Sequence, residues 1–259
     1  MSRKAIRFQK RSQAEFARQF MPLCNIKSSW EVWADFITMS ALSIANAMDR
    51  QGETHDAREK EYLGIINRYP KQEQQAFPEL LAKLVEALEE NPEQDFLGEM
   101  FMALDLGSHW KGQLFTPYSI CQLMAAMTIY SRAEQIEARG WTSVHDPCCG
   151  AGALLIAARN EMVKRGLGPR QALYVAQDID RTASLMCYLQ LSLLGCAGYV
   201  IVGDTLTQSS VSPTGSPLLI TPQPGQEVWL MPALYDEVWA YRVQFEKVKY
   251  LMMSKEGDQ

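Results

Sequence analysis

Asp146-Pro147-Cys148-Cys149-Gly150-Ala151-Gly152 sets a carboxylate, two thiols and a G-x-G turn between two segments of different character. Trp141 to His145 before it has the composition of a short β-strand, and Ala153 to Arg165 after it that of a helix. A strand, a tight glycine turn and a helix start form a cradle for a nucleotide-like ligand. Glycine permits the sharp turn and the close approach of a ligand, and the first helical N–H groups have no partner within the helix. Asp146 stands where the first strand ends, the edge at which open α/β sheets bind ligands. A carboxylate there can accept from an ammonium group or from bridging water. Turn formation is the alternative, because Asp-Pro is common in turns.

Three further segments accompany this turn. Gly112-Gln113-Leu114-Phe115-Thr116-Pro117 lies upstream, and Pro117 suits the first turn of the helix that follows. Its plainest role is a helix start with Thr116 as N-cap. Gln177-Asp178-Ile179-Asp180 comes about thirty residues after Asp146, beyond the ~20-residue offset of the acidic residue in dinucleotide folds. Asp178, at the end of a second strand, can accept from two vicinal ribose hydroxyls in a charge-assisted, two-point contact. Asp180 is better placed to cap the following helix. Gly203-Asp204-Thr205-Leu206 follows a third strand, and Asp204 is either a ligand acceptor or a loop cap.

These segments, in this order, resemble the adenine-N6 DNA methyltransferases, in particular the modification subunits of type I restriction systems and their relatives. The resemblance covers Gly107 to Asp204 well and the preceding helical region loosely. It implies a Rossmann-like methyltransferase fold and S-adenosyl-L-methionine as cofactor. It further implies cofactor contacts from Phe115, Thr116, Pro117, Asp146, Cys148, Gly150, Gly152, Asp178, Ile179 and Asp204. In that family the segment at Phe115-Thr116-Pro117 lies over the cofactor, and the residue matching Asp204 accepts from its adenine amino group. DNA is the implied partner, bound weakly or through another chain, with a specificity subunit or a second copy as the companion.

The resemblance frays further on. Adenine-N6 methyltransferases carry Asn or Asp, Pro, Pro and an aromatic residue after the fourth strand. The N6 amine is a poor nucleophile because its lone pair is delocalised into the ring. The side-chain oxygen and a prolyl carbonyl accept its protons, and the aromatic ring stacks on the flipped base. No such tetrapeptide occurs between Asp204 and Gln259. Met231-Pro232-Ala233-Leu234, after Glu227 to Leu230, is the aligned position. A thioether is at most a weak acceptor, and leucine has no aromatic face. The expectation is therefore a cofactor-binding member of the family that is weak or inactive as an autonomous methyltransferase. The alternative is an active DNA adenine-N6 methyltransferase of a restriction-modification system.

The elements that must position these residues are legible from periodicity. Strand-like runs at Thr142–His145, Leu173–Gln177 and Tyr199–Val202 alternate with helical runs at Ala153–Arg165 and Arg181–Leu194. Strand, helix, strand, helix, strand predicts a parallel sheet with right-handed crossovers, here abbreviated. Glu227 to Leu230 reads as a fourth strand, after a loop rich in Ser, Pro, Thr and Gly. The segment from Ser119 to Arg139 reads as one helix, and Tyr235 to Met253 as another. Residues 1–106 are predicted to form a helical domain, and 107–259 a methyltransferase-like α/β domain. Ser28 and Glu31 have the spacing of a capping box, followed by an apolar stripe at Trp30, Trp33, Ile37, Ala41, Ile44 and Met48. Pro78 to Glu90 repeats the pattern with Leu80, Leu81, Leu84 and Leu88. Only about a hundred residues follow Asp146, short for both the remaining strands and a DNA-recognition surface. Either the sheet is abbreviated or another chain completes it.

The 259 residues are 47% hydrophobic and 21% charged, a composition of ordinary globular proteins. The net charge of −5 offers no bulk attraction to nucleic acid, so contact with DNA requires a local basic patch or a partner. Arg3, Lys4, Arg7, Lys10 and Arg11 are the best such patch by sequence, and they read as a solvated terminus. No apolar run approaches the ~18 residues of a membrane span, no signal core follows Met1, and a cytoplasmic location is expected. The six cysteines lack paired metal-ligand spacing, so reduced thiols and no metal are expected.

Overall fold

The computed structural model describes residues 8, 10–25, 27–106, 115–130, 133–209 and 214–256. Its helical part begins with α1 (Arg11–Phe20), α2 (Ser29–Met48), α3 (Glu53–Ile66), α4 (Lys71–Gln74), α5 (Ala76–Glu90) and α6 (Phe96–Ala103). The Ser28–Glu31 capping box is present: the Glu31 N–H donates to Ser28 Oγ, and the Ser28 N–H donates to Glu31 Oε2, each at 3.2 Å. On the stripe that follows, Trp33, Ile37 and Ala41 are buried, whereas Met48 at the helix end is exposed. In α5, Leu80, Leu84 and Leu88 are buried. Aromatic rings meet edge to face between α1 and α2, with Phe16 5.5 Å from Phe36 and Phe20 5.8 Å from Trp33. Such pairs add ~0.5–1.5 kcal/mol each beyond the area they bury.

The α/β part continues with α7 (Tyr118–Tyr130) and α8 (Ala133–Arg139), so the single helix expected from Ser119 to Arg139 is divided. Then come β1 (Thr142–Asp146), α9 (Ala153–Lys164), β2 (Ala172–Asp178), α10 (Arg181–Leu193), β3 (Ala197–Val202), β4 (Glu227–Leu230) and α11 (Glu237–Glu256). The strand order is β1-β2-β3-β4. β1, β2 and β3 are parallel, and β4 is antiparallel to β3. The sheet is therefore mixed, which corrects the expectation of an abbreviated parallel sheet. Among the described residues no helix lies between β3 and β4; the chain re-enters the sheet at the end it left and runs back along β3.

Alternation gives the strands two buried faces. Val144, Tyr174, Ala176 and Val200 face the larger core with α9 and α10, while Leu173, Val175, Tyr199 and Ile201 face a smaller one capped by Leu218 and Trp239. The larger core is continuous from Phe16 to Met231 and crosses residue 106, so helical and α/β parts share it. Gly198 lets β2 and β3 close up, since a Cβ there would lie 1.9 Å from the Tyr174 carbonyl oxygen.

One buried amide joins the two parts. Gln190 of α10, fully buried, donates from Nε2 to Asp95 Oδ1 at 2.8 Å and to the Ala151 carbonyl at 2.9 Å. Its Oε1 accepts the Leu97 N–H at 3.0 Å. Asp95 also caps α6 through the Gly98 N–H, at 2.9 Å.

Candidate functional site

Parallel pairing of β1 to β3 sets their carboxyl ends side by side, with Asp146 opposite Ala176 and Asp178 opposite Val202. The loops leaving those ends are tied together. Asp178 Oδ2 accepts the Gly150 N–H at 2.9 Å, and Asp178 Oδ1 accepts the Asp180 N–H at 2.9 Å. The Cys149 N–H donates to the Gln177 carbonyl at 2.9 Å. Thr205 Oγ1 donates to the Pro147 carbonyl at 2.6 Å, which joins the loop after β3 to the glycine turn.

Both glycines of the turn have positive φ, +52° at Gly150 and +96° at Gly152, values that favour glycine. Their surroundings differ. A Cβ at Gly150 would sit 3.0 Å from the Phe115 ring, and one at Gly152 would sit 2.9 Å from Cys187 Sγ. Gly150 thus admits the segment that covers the turn, while Gly152 admits α10 beneath it. The Phe115 ring is itself braced on Phe101, 5.3 Å away. The Pro117 carbonyl accepts the Cys121 N–H, so Pro117 rather than Thr116 stands at the start of α7.

A cleft of about 290 Å³ opens above the turn. Phe115 and Thr116 wall one side, Asp146, Cys148, Gly150 and Asp178 the other. Cys121, Met124 and Leu154 add apolar surface that motif reasoning did not single out. The i, i+3, i+4 pattern of α7 was the available signal for Cys121 and Met124. No Lys, Arg or His stands among the described walls. Burial raises the Asp146 carboxyl above the ordinary aspartate value, the nearby Asp178 charge adds to that, and the Cys148 N–H at 3.1 Å opposes it. The Cys149 thiol is held well above its usual value by its contact with the Cys187 thiol and by burial, so it stays protonated. Cys148 is exposed.

Pro117, Gly152, Ile179 and Asp204 do not wall the cleft. Ile179 lies directly after Asp178 and is 71% exposed. Asp204 turns inward on its own loop, accepting from the Leu206 N–H at 2.9 Å and from Thr207 Oγ1 at 3.0 Å. Leu206, which the sequence did not mark, is 94% exposed on that loop. Asp180 caps α10 by accepting the Ala183 N–H at 2.7 Å. Gly112, Gln113 and Leu114 lie outside the described residues, as do Arg3, Lys4 and Arg7. Lys10 and Arg11 are engaged with Glu99 and Glu15.

Met231, Pro232, Ala233 and Leu234 are elsewhere. Because β4 runs antiparallel to β3, Leu230 pairs with Tyr199 and the Met231 N–H donates to the Gly198 carbonyl at 2.9 Å. That is the amino end of the parallel strands, opposite the cleft. Met231 is fully buried in the larger core. The position aligned by sequence with the amine-accepting motif therefore lies away from the cleft, which follows from strand direction.

A mixed α/β sheet whose glycine turn and acidic loops meet at the strand carboxyl ends is consistent with a methyltransferase fold. The N-6 DNA methylase family model matches residues 96–247, and the chain belongs to that family. Its members generally depend on S-adenosylmethionine. A search of curated proteins finds no match. Among the described residues no helix is long and apolar enough to cross a membrane.

Proposed function

We propose that the chain binds S-adenosyl-L-methionine at the Asp146–Gly152 turn and that alone it methylates DNA adenine weakly or not at all. The observation that carries the first half is the charge of the cleft: two carboxylates, Asp146 and Asp178, and no cationic side chain among its described walls. A dinucleotide would bring its pyrophosphate against those carboxylates, whereas a ligand bearing a sulfonium and an ammonium suits them. The bound cofactor would supply an electrophilic methyl group.

The chain's own residues would do the rest. Asp146 would take the ammonium, and Asp178 has lone pairs left for ribose hydroxyls while it braces Gly150. Thr116 offers a hydroxyl across the cleft. The volume lies at the small end of the ~300–1,000 Å³ usual for ligand sites, so a flat heteroaromatic ring would extend out between Ile179 and Leu206. Cys148 and Pro117 would complete the rim, and Asp204 would need to exchange its local bonds to reach an exocyclic amine. Calorimetry with S-adenosylmethionine and its demethylated product tests this reading; no heat at millimolar ligand would end it.

The second half rests on the sequence lacking an Asn/Asp-Pro-Pro-aromatic run and on Met231 facing away from the cleft. An active adenine-N6 methyltransferase of a restriction-modification system is the second reading, favoured by the intact glycine turn. A specificity subunit or a second copy of the chain belongs to the proposal. Ile120, Leu123 and Met127 of α7, exposed at 48%, 61% and 72%, give such a partner an apolar face beside the cleft. The division at residue 106 and a cytoplasmic location go with the same reading.

A further inference from the structure

A second groove lies on the other face of the sheet, at the amino end of β1. Its volume is about 740 Å³, larger than the cleft above the glycine turn. Trp141 lines it, and Asp146 at the far end of β1 is five residues on, roughly 16 Å at the ~3.3 Å rise of a strand. The two sites are separate.

Three cations and two exposed aromatic rings line this groove. The Arg139 guanidinium lies 4.2 Å from the Trp141 ring centroid, fixed by its Nε donating to the Trp141 carbonyl. Arg242 lies 4.5 Å from the Trp239 centroid and donates from Nη1 to the Arg170 carbonyl. Lys249 makes no ion pair among the described residues. Glu246 is the one carboxylate on the walls among the described residues. Asp236, nearby, is already paired with Arg170 at 2.8 Å. Tyr241 and Phe245, one helical turn apart on α11, are 70% and 58% exposed. Their rings lie nearly parallel, at 22°, with centroids 6.5 Å apart.

Arginines held over indoles, a free ammonium and stacked exposed rings are the components of a platform for unpaired bases and their phosphates. The local surplus of positive charge is notable in a chain of net charge −5, where bulk electrostatics repels nucleic acid. We propose that this groove binds a single strand of nucleic acid, its phosphates on Arg139, Arg242 and Lys249 and its bases stacked on Tyr241 and Phe245. A duplex presents no free base faces to the rings, and a protein partner would not require three cations against one carboxylate.

The test uses the full chain and a fluorescein-labelled oligothymidylate of about twelve nucleotides, long enough for one single-strand site. Anisotropy should show binding that weakens with salt at a log–log slope of roughly −2, from three phosphates at ~0.7 each. Tyr241→Ala and Phe245→Ala should each weaken it by about 5- to 150-fold, the range for one lost stacking partner. Arg139→Gln and Lys249→Gln should each lower the slope by ~0.7. All four positions are exposed, and far-UV circular dichroism should be unchanged. No binding at ~50 mM salt, wild-type affinity in the double ring variant, or tighter binding of the matching duplex would overturn the proposal. Binding to phosphatidylserine vesicles with the same residue dependence, and not to the oligonucleotide, would overturn it as well. Cofactor calorimetry on the same variants should match wild type; failure of the wild type there would count against the cofactor reading alone.

Discussion

The carboxylate of Asp178 accepts the N–H of Gly150 at 2.9 Å, across 28 residues of chain. The acidic residue at the end of β2 thus shapes the glycine turn at the end of β1 before any ligand arrives. Substitution at Asp178 therefore removes a ligand acceptor and a brace together, and the two can be separated.

Asp178→Ala should weaken binding of S-adenosylhomocysteine by ~1.5–3 kcal/mol, the range for a charged hydrogen bond. Asp178→Asn retains an acceptor for Gly150 and should lose less. Equal losses in calorimetry would mean that the charge, not the turn, dominates; no loss in either would place the site elsewhere.

Gly150→Val forces a β-branched residue to φ +52° and drives its Cβ into the Phe115 ring. Strain at such a position costs ~1–3 kcal/mol. Urea unfolding should show that loss of stability, and a folded variant should bind no cofactor. Wild-type affinity would contradict the assignment of the turn.

Asp146 gives a pH signature. Its folded-state pKa is raised above the ordinary 3.8, chiefly by burial. Its contribution to stability is therefore fully present below 3.8 and is lost as pH rises through the folded value. Asp146→Asn should stabilise the free protein at neutral pH and flatten the decline of its melting temperature across that window. The same ionisation supplies the charge for a cationic ligand, so wild-type cofactor affinity should rise across the same window. Parallel pH curves for wild type and variant would refute this.

Strand direction changes what can be expected of residue 231. Met231→Asn would bury an amide with no provided partner and remove apolar packing, at a cost of about 2–5 kcal/mol. It should yield no gain in N6-methyladenine on plain DNA. Recovery of turnover by Asn, Pro and Phe at 231, 233 and 234 would show that the chain can rearrange to bring this segment to the cleft. The unmodified chain is expected to form little N6-methyladenine, and robust formation would restore the active-enzyme reading.

Local signals were faithful where local chemistry decides. The capping box at Ser28, the glycine turn with Asp146, and Asp180 as the cap of α10 depend on neighbours within a few residues, and they can be read from the sequence. Spacing of the three parallel strands was equally readable because each crossover carries its own helix. The direction of β4 was not, since a four-residue strand after an irregular loop has no periodic feature that distinguishes its two orientations. That single ambiguity moved Met231 from one end of the sheet to the other. Long-range side-chain contacts were also hidden. Nothing near Gln190 in the sequence announces that it reaches residues 93 and 95 positions away.

Gln190 has a thermodynamic consequence. The Ala151 carbonyl, the Leu97 N–H and the Asp95 carboxylate share one amide with no exposure to solvent, so none of the three can open without leaving part of the buried Gln190 amide unsatisfied. An unsatisfied buried group costs ~1–3 kcal/mol. Opening of the turn and fraying of α6 are thereby linked equilibria: occupancy above Gly150 should slow amide exchange at Leu97, on a helix that contributes no wall to the cleft. The helical half of the chain would then report on ligand at a distance, through the protection of its own backbone.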